Sequence, residues 1–291
     1  MAFRKRREAL RAILSSTTCV RPGSVYDATS IRIAEHLGFE VGMFGGSVAS
    51  LAVLGDPDIT LITLSELAEQ MRRMSRAASL PVVVDADHGY GNALNVRRTV
   101  EELETAGAAG LSIEDTLLPQ SFGQNGTQLI PLEEGVGKMK AALDARRDSA
   151  LVILGRTGAA SITTIEDTIA RARAYEATGV DALFFIGVKT RAELEAISEA
   201  TRLPIVLGGF PEEMTDRKYL SERRVRIALQ GHAPFAAATQ AIYETLKALR
   251  EGLAPKDLKG LASAELTSLV TREAEVKIRT TEFLGLKKRD G

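Results

Sequence analysis

A chain of 291 residues can build one large α/β domain with a substantial core, since α/β barrels commonly run to about 250 residues as single units. Its 37 Lys and Arg against 38 Asp and Glu leave a net charge of −1, which offers no general attraction for nucleic acid or an anionic membrane. The single cysteine, Cys19, excludes an internal disulfide framework and a thiolate zinc cluster, and no apolar run reaches membrane-spanning length.

The N-terminus is basic (Arg4, Lys5, Arg6, Arg7), but Arg11 interrupts the apolar stretch that follows before a signal-peptide core can form, so a cytoplasmic protein is expected. Short apolar runs rich in β-branched residues then recur at Thr18 to Val20, Val41 to Phe44, Pro81 to Asp85 and Gly110 to Glu114. They continue at Leu151 to Arg156, Ala182 to Ile186, Pro204 to Leu207 and Val225 to Leu229. Continuous apolar runs of this length are the mark of parallel strands buried on both faces. Between them lie stretches with helical periodicity, as in Leu64 to Ala78, Leu94 to Ala106, Ile165 to Thr178 and Phe235 to Leu249. Eight such alternations predict a closed (β/α)₈ barrel of TIM type, with an open doubly wound sheet as the alternative. No GxGxxG follows the first strand to favour the open sheet.

After Leu249 a link through Gly252 and Pro255 leads to a further helical stretch, from about Ala262 to Phe283, outside the eight repeats. Its apolar residues Leu266, Leu269, Val270, Val276 and Ile278 are mixed with many charges, so it would be marginal alone. It is expected to make an oligomer contact, a solvated tail being the alternative. Residues 1–291 thus read as a single barrel domain with 262–285 as a C-terminal helical extension.

Reactive groups in such barrels sit at the C-terminal ends of strands. The third strand ends Asp85-Ala86-Asp87-His88-Gly89-Tyr90-Gly91, and extended alternation puts Asp85 and Asp87 on one side. The fourth ends Glu114-Asp115, and Asp58 can approach from the second loop. Carboxylates crowded in this way repel unless a cation or protons intervene, and hard oxygen ligands suit Mg²⁺, which keeps waters and takes one or two protein carboxylates. Asp85 is the expected direct ligand, with Asp58, Asp87 and Glu114 holding the waters. Arg156 emerges from the fifth strand and needs an anion: a substrate carboxylate, or equally Glu114 or Asp115. Gly45-Gly46-Ser47 ends the second strand, where backbone N–H groups and the Ser47 hydroxyl can hold a carboxylate or enolate oxygen, unless the segment is an ordinary turn. His232 follows the eighth strand and would face the pocket, whereas His36 falls within a helix and reads as structural.

Together, Gly45-Gly46-Ser47, Asp85 through Gly91, Ile113-Glu114-Asp115 and Gly155-Arg156-Thr157 resemble the isocitrate lyase and phosphoenolpyruvate mutase superfamily, over about residues 24–249. The resemblance implies a Mg²⁺-dependent barrel, with Mn²⁺ as the alternative, acting at C–C or P–C bonds of α-keto or α-hydroxy carboxylates. It also implies a homotetramer built as a dimer of dimers with an exchanged C-terminal helix. The loop after Asp115 reads Pro119-Gln120-Ser121-Phe122-Gly123-Gln124, with Phe122 where the lyases carry their acid thiol and without the set the phosphonate-cleaving branches use. Glu114 through Pro119, Asp87 through Val96 and Gly231-His232-Ala233 resemble most the oxaloacetate decarboxylase branch. That resemblance implies that Ser47, Gly46, Arg156 and His232 contact substrate and that Asp85 serves the metal. Gly158 and Phe210 depart from the branch, where Asn and Tyr are expected. The reaction it implies, loss of CO₂ from oxaloacetate through a stabilised enolate to pyruvate, needs neither a thiol nor a Schiff-base lysine. A methylisocitrate lyase-like enzyme of the same superfamily and a non-catalytic metabolite-binding barrel are the other readings.

Overall fold

In the computed structural model, which describes residues 2–285, eight parallel strands pair strictly in chain order. They are β1 (Gly23–Ser24), β2 (Gly42–Phe44), β3 (Val82–Asp85), β4 (Gly110–Glu114), β5 (Val152–Thr157), β6 (Ala182–Ile186), β7 (Ile205–Gly208) and β8 (Val225–Ala228). Helices α1 (Ala2–Ser15), α2 (Ala28–His36), α3 (Gly46–Val53), α4 (Leu64–Ala77), α5 (Ala93–Ala106), α6 (Leu132–Ala145) and α7 (Ala159–Ile162) belong to the first two-thirds of the chain. They are followed by α8 (Ile165–Glu176), α9 (Arg191–Ala200), α10 (Arg217–Glu222), α11 (Ala233–Arg250), α12 (Ala264–Thr271) and α13 (Glu273–Leu284). Parallel neighbours cannot be joined by a hairpin, so the crossovers carry helices, as the alternating periodicities predict.

Seven of the eight predicted strands match within a residue or so. The first is corrected: the ladder lies at Gly23–Ser24, not at 18–20. Pro22 has no N–H to donate, and it divides the segment into two contacts. Gly23 and Val25 donate to Val41 and Met43 on one side (both 3.0 Å), while Val20 serves β8 on the other. The Val20 N–H donates to the Arg226 carbonyl (2.8 Å), and the Ala228 N–H donates to the Val20 carbonyl (3.0 Å). Those two bonds join the last strand to the first and close the barrel.

Inside the barrel, Val41, Met43, Val83, Val152, Leu154, Phe184, Val206 and Ile227 form one buried cluster. Leu10 and Leu14 of α1 join it, so the N-terminal helix plugs the end where the strands begin. Its basic residues are anchors: the buried Arg7 donates to the Ala108 carbonyl (3.2 Å) and pairs with Asp148 (2.8 Å). No helix among the described residues is long and apolar enough to cross a membrane.

The chain divides into two compact units, residues 1–233 and 234–291. The helix read from sequence as the last of the eight repeats, α11, therefore falls in the same unit as the C-terminal extension. None of its residues is buried, and Ile242, Tyr243 and Leu246 are each about 60% exposed.

Candidate active site

Side chains of a strand alternate between its two faces, and the core cluster defines which face looks inward. Val83 and Leu154 point in, so Asp85 and Arg156, two residues further along each strand, point in as well. Register completes the layer: Asp85 pairs with Ser112 on β4, and Glu114 pairs with Arg156 on β5. At the carboxyl end the apolar barrel thus gives way to a layer of acids around one guanidinium. Arg156 bonds Asp85 closely and reaches Glu114 at 3.1 Å, with its guanidinium 5.3 Å from the centre of the Phe184 ring. Burial disfavours its charge, but Asp85 and Glu114 outweigh that and hold it cationic. Ser112 donates to Asp85 at 3.3 Å.

Alternation also corrects the expected role of Asp115. One residue beyond Glu114, it faces outward into the helix layer, fully buried. There it accepts from Tyr175 Oη (2.7 Å) and Arg171 (3.1 Å), both on α8. It is a brace between β4 and the helices, not a member of the acidic cluster. Register sets the parity: Asp85 pairs with Ser112, which turns Glu114 inward and Asp115 outward.

Asp87 sits past the strand in the left-handed region (φ 47°), where Asp and Asn are better tolerated than most residues. Its Oδ1 lies so close to Gly46 that a Cβ there would come within 2.5 Å, and its Oδ2 is buried without a hydrogen-bond partner. Burial, then the charges of Asp85, Asp58 and Glu114, push its carboxyl well above the usual range. Glu114 is raised by burial and Asp85, with Arg156 pulling it back. Asp58, on the exposed rim, is raised by partial desolvation and Asp85. Four carboxyls against one arginine, one of them with an orphaned oxygen, make a site short of positive charge. A hard divalent cation fits that deficit. Among the described residues no three His, Cys, Asp or Glu side chains close into a cage, so a cation here would take few protein ligands and keep its waters.

Asp58, Asp85, Asp87, Glu114 and Arg156 line a cavity of about 310 Å³, walled by Leu118, Ile162 and Ile186. Gly158 also lines it, and a Cβ added there would meet Ile162 Cδ1 at 3.2 Å. The stretch after Asp115 is a short ribbon, with Thr116 bridged antiparallel to Leu129 and the Leu117 N–H donating to Gln128 (2.8 Å). Its base supplies Leu118 and Thr127 to the cavity wall, while Phe122 at the tip is fully exposed.

His232 lies by the second loop: a Cβ on Gly45 would come within 2.8 Å of its Nε2 and Cε1. Its Nδ1 shares a hydrogen bond with Ser24 Oγ at 2.8 Å. Burial lowers its pKa, with Asp85 and Asp58 pulling the other way. The Gly45-Gly46-Ser47 stretch does open a helix, α3, with Gly45 at its N-cap. Two participants escaped the sequence reading. Ser24 belongs to a strand too short to show in hydropathy, and Tyr90 looked like turn filler. Tyr90 is held in the left-handed region (φ 59°) with its hydroxyl buried and unpartnered. Burial and Asp87 keep that hydroxyl protonated. His88 adjoins Tyr90 at 6.0 Å between ring centres, and its carbonyl accepts from Lys138 (2.8 Å).

Residues 10–250 match the family model described as phosphoenolpyruvate phosphomutase. The chain belongs to this family. Within the phosphoenolpyruvate phosphomutase family it is 76% identical to a protein named oxaloacetate decarboxylase from Bradyrhizobium diazoefficiens, over 99% of this chain and 100% of the relative. A protein of the same name from Rhodopseudomonas palustris is 71% identical, with the same coverage of both chains. Among solved structures, oxaloacetate acetylhydrolase in complex with 3,3-difluorooxalacetate superposes with a TM-score of 0.86 at 25% identity, over 98% of this chain and 99% of that one. Phosphonopyruvate hydrolase with oxalate and Mg²⁺ superposes with a TM-score of 0.83 at 27% identity, over 96% and 99%. These neighbours bear out the barrel and the superfamily read from the strand-end motifs.

Proposed function

We propose that this chain decarboxylates oxaloacetate to pyruvate and CO₂ with Mg²⁺, or Mn²⁺ in its place. The observation that carries the proposal is the acidic layer short of positive charge around Arg156, in a chain whose close relatives bear that activity in their name. Asp85 would hold the cation directly, with Asp58, Asp87 and Glu114 holding its waters, and the orphaned oxygen of Asp87 supports that assignment. When bound, the cation supplies positive charge that draws electrons from the breaking bond toward the adjacent carbonyl.

The residues of the chain do the rest. Arg156, held in place by Asp85 and Glu114, would offer its remaining N–H groups to a substrate carboxylate and orient the bond between C3 and C4. The apolar wall of Leu118, Ile162 and Ile186 leaves a departing carboxylate poorly hydrated, which favours its release as neutral CO₂. The electron pair of the broken bond stays with C3 and spreads onto the keto oxygen as an enolate. Ser47 and the Gly46 N–H meet that oxygen, where charge is greater in the transition state than in the substrate. A proton returned to C3 completes pyruvate. His232 holds that proton at Nε2, a tautomer favoured when the Ser24 hydroxyl donates to Nδ1.

Incubation with Mg²⁺ and a panel of oxaloacetate, methylisocitrate and phosphonopyruvate tests the proposal, against a metal-only control because free Mg²⁺ also promotes the loss of CO₂. Pyruvate and CO₂ above that background support it. Turnover of another substrate, or oxalate and acetate from oxaloacetate, would assign a different reaction, and no turnover would favour a binding protein. We further propose a cytoplasmic homotetramer, a dimer of dimers that exchanges the helices of 262–285. The exposed Ile278 and Phe283 support that assembly.

A further inference from the structure

The acidic site lies where the strands end; near the start of β8 the charge reverses. A second cavity, of about 620 Å³, is lined by Arg217, Lys218, Arg224 and Arg226, with Cys19 and the solitary acid Glu222. Among the described residues no ion pair engages any of these four cations. Their hydrogen bonds go to neutral carbonyls. Arg217 donates to Cys19 O (2.8 and 3.0 Å), Arg226 to Ser221 O (3.0 Å) and Arg224 to Thr201 O (2.6 Å). Such bonds fix the guanidinium groups in place without supplying negative charge. Arg224 keeps a buried Nε with no partner, and Arg226 is only 9% exposed.

Buried like charges without counter-ions are costly, and proteins normally pair them. Burial, and Arg224 beside it, lower the Arg226 pKa. The thiol of Cys19 is no substitute for a carboxylate: burial pushes it up to about 11 in spite of Arg217, Arg21 and Arg226, so it is neutral at pH 7. Glu222 is exposed and sits among four cations. Arg217 is exposed to water, but the buried Arg226 and half-buried Arg224 have no carboxylate partner among the described residues, which leaves that place to an anion from outside the chain.

We propose that this cavity binds a small polyanion, a phosphate ester or a polycarboxylate metabolite, with Arg224 and Arg226 facing it from the floor and Arg217 and Lys218 from the rim. It is a different site from the carboxylate pocket around Arg156. Planar guanidinium forks suit the oxygens of either anion, and the cavity is roomy enough for a ligand of metabolite size.

The test is thermal unfolding of the full chain in metal-free buffer, with inorganic phosphate or citrate titrated at constant ionic strength. A ligand that binds only the folded state raises the midpoint in a saturable way. We expect such a rise for the wild type, and the anion that saturates at lower concentration identifies the source of the charge. Lys218→Glu reverses one rim charge on an exposed side chain and should weaken the anion about tenfold or more, with decarboxylation unchanged. Arg226→Gln should abolish the rise, and the exposed Lys218 variant keeps the test valid if that buried change impairs folding. A rise of equal size and affinity in wild type and Lys218→Glu would overturn the proposal, as would no saturable rise with either anion. Loss of the rise in Arg156→Gln alone would place the anion in the catalytic pocket instead.

Discussion

Replacing Gly46 by Ala tests whether the acidic layer works as a positioned unit. The added Cβ would meet Asp87 Oδ1 at 2.5 Å and Cγ at 3.3 Å. Restoring ordinary van der Waals contact moves the carboxylate by about 0.9 Å. Asp87 is only 5% exposed, so it has little room to retreat. Overpacking of this kind costs about 1–3 kcal/mol of stability, which leaves a barrel of this size folded. The functional cost should be larger in proportion, because a misplacement of about 1 Å can lower a rate about 100-fold, or about 2.7 kcal/mol. We expect kcat/KM for pyruvate formation to fall by about that factor, and the Mg²⁺ concentration for half-maximal rate to rise. Gly137→Ala is the control: nothing lies within 4 Å of its added Cβ inside α6, and it should gain about 0.5–1 kcal/mol with activity unchanged. A Gly46→Ala enzyme with wild-type kcat/KM and metal dependence would refute the reasoning.

Three further predictions follow from the same geometry. His232 has a folded pKa below its unfolded value of about 6.5, so its neutral form, and the stability tied to it, is fully present above 6.5 and is lost as pH falls through the folded pKa. Because the charged imidazole is the stronger proton donor, kcat/KM should rise as pH falls below 6.5 through the folded pKa, and His232→Gln should be slow and lack that rise; an identical profile in the variant would remove His232 from the chemistry. Asp115→Ala strips Tyr175 and Arg171 of their buried acceptor, and urea unfolding should show a loss of about 3 kcal/mol with KM unchanged. A loss under about 1 kcal/mol would mean that the brace is dispensable. Leu246→Arg places a charge on the exposed apolar face of α11, and light scattering after gel filtration should report smaller assemblies than in the wild type. Unchanged mass would separate α11 from the subunit contacts.

The acids at the ends of β3 and β4 were legible because a buried strand that finishes in carboxylates is conspicuous against its apolar run. Alternation makes Glu114 and Asp115 face opposite ways, but only the pairing of β4 with β3 decides that Glu114 faces inward and that Asp115 braces Arg171 and Tyr175. Helix α1 was signalled by Leu10, Ile13 and Leu14 at helical spacing, but its basic residues drew attention to targeting instead of packing.

Hydropathy and periodicity in one dimension thus determined the barrel, the order of its strands and the ends where its chemistry had to lie, since both arise from local alternation. Contacts between residues far apart in the chain could not be read that way. Ser24 and His232 are 208 positions apart, and Asp85 and Arg156 are 71 apart. Only closure of the barrel decides that Arg156 reaches Asp85 as well as Glu114, that Gly46 makes room for Asp87, and that four cations meet around Cys19. The physical reason is that these distances are set by strand register and by which face each side chain takes. Both become definite only when all eight strands are packed around one core.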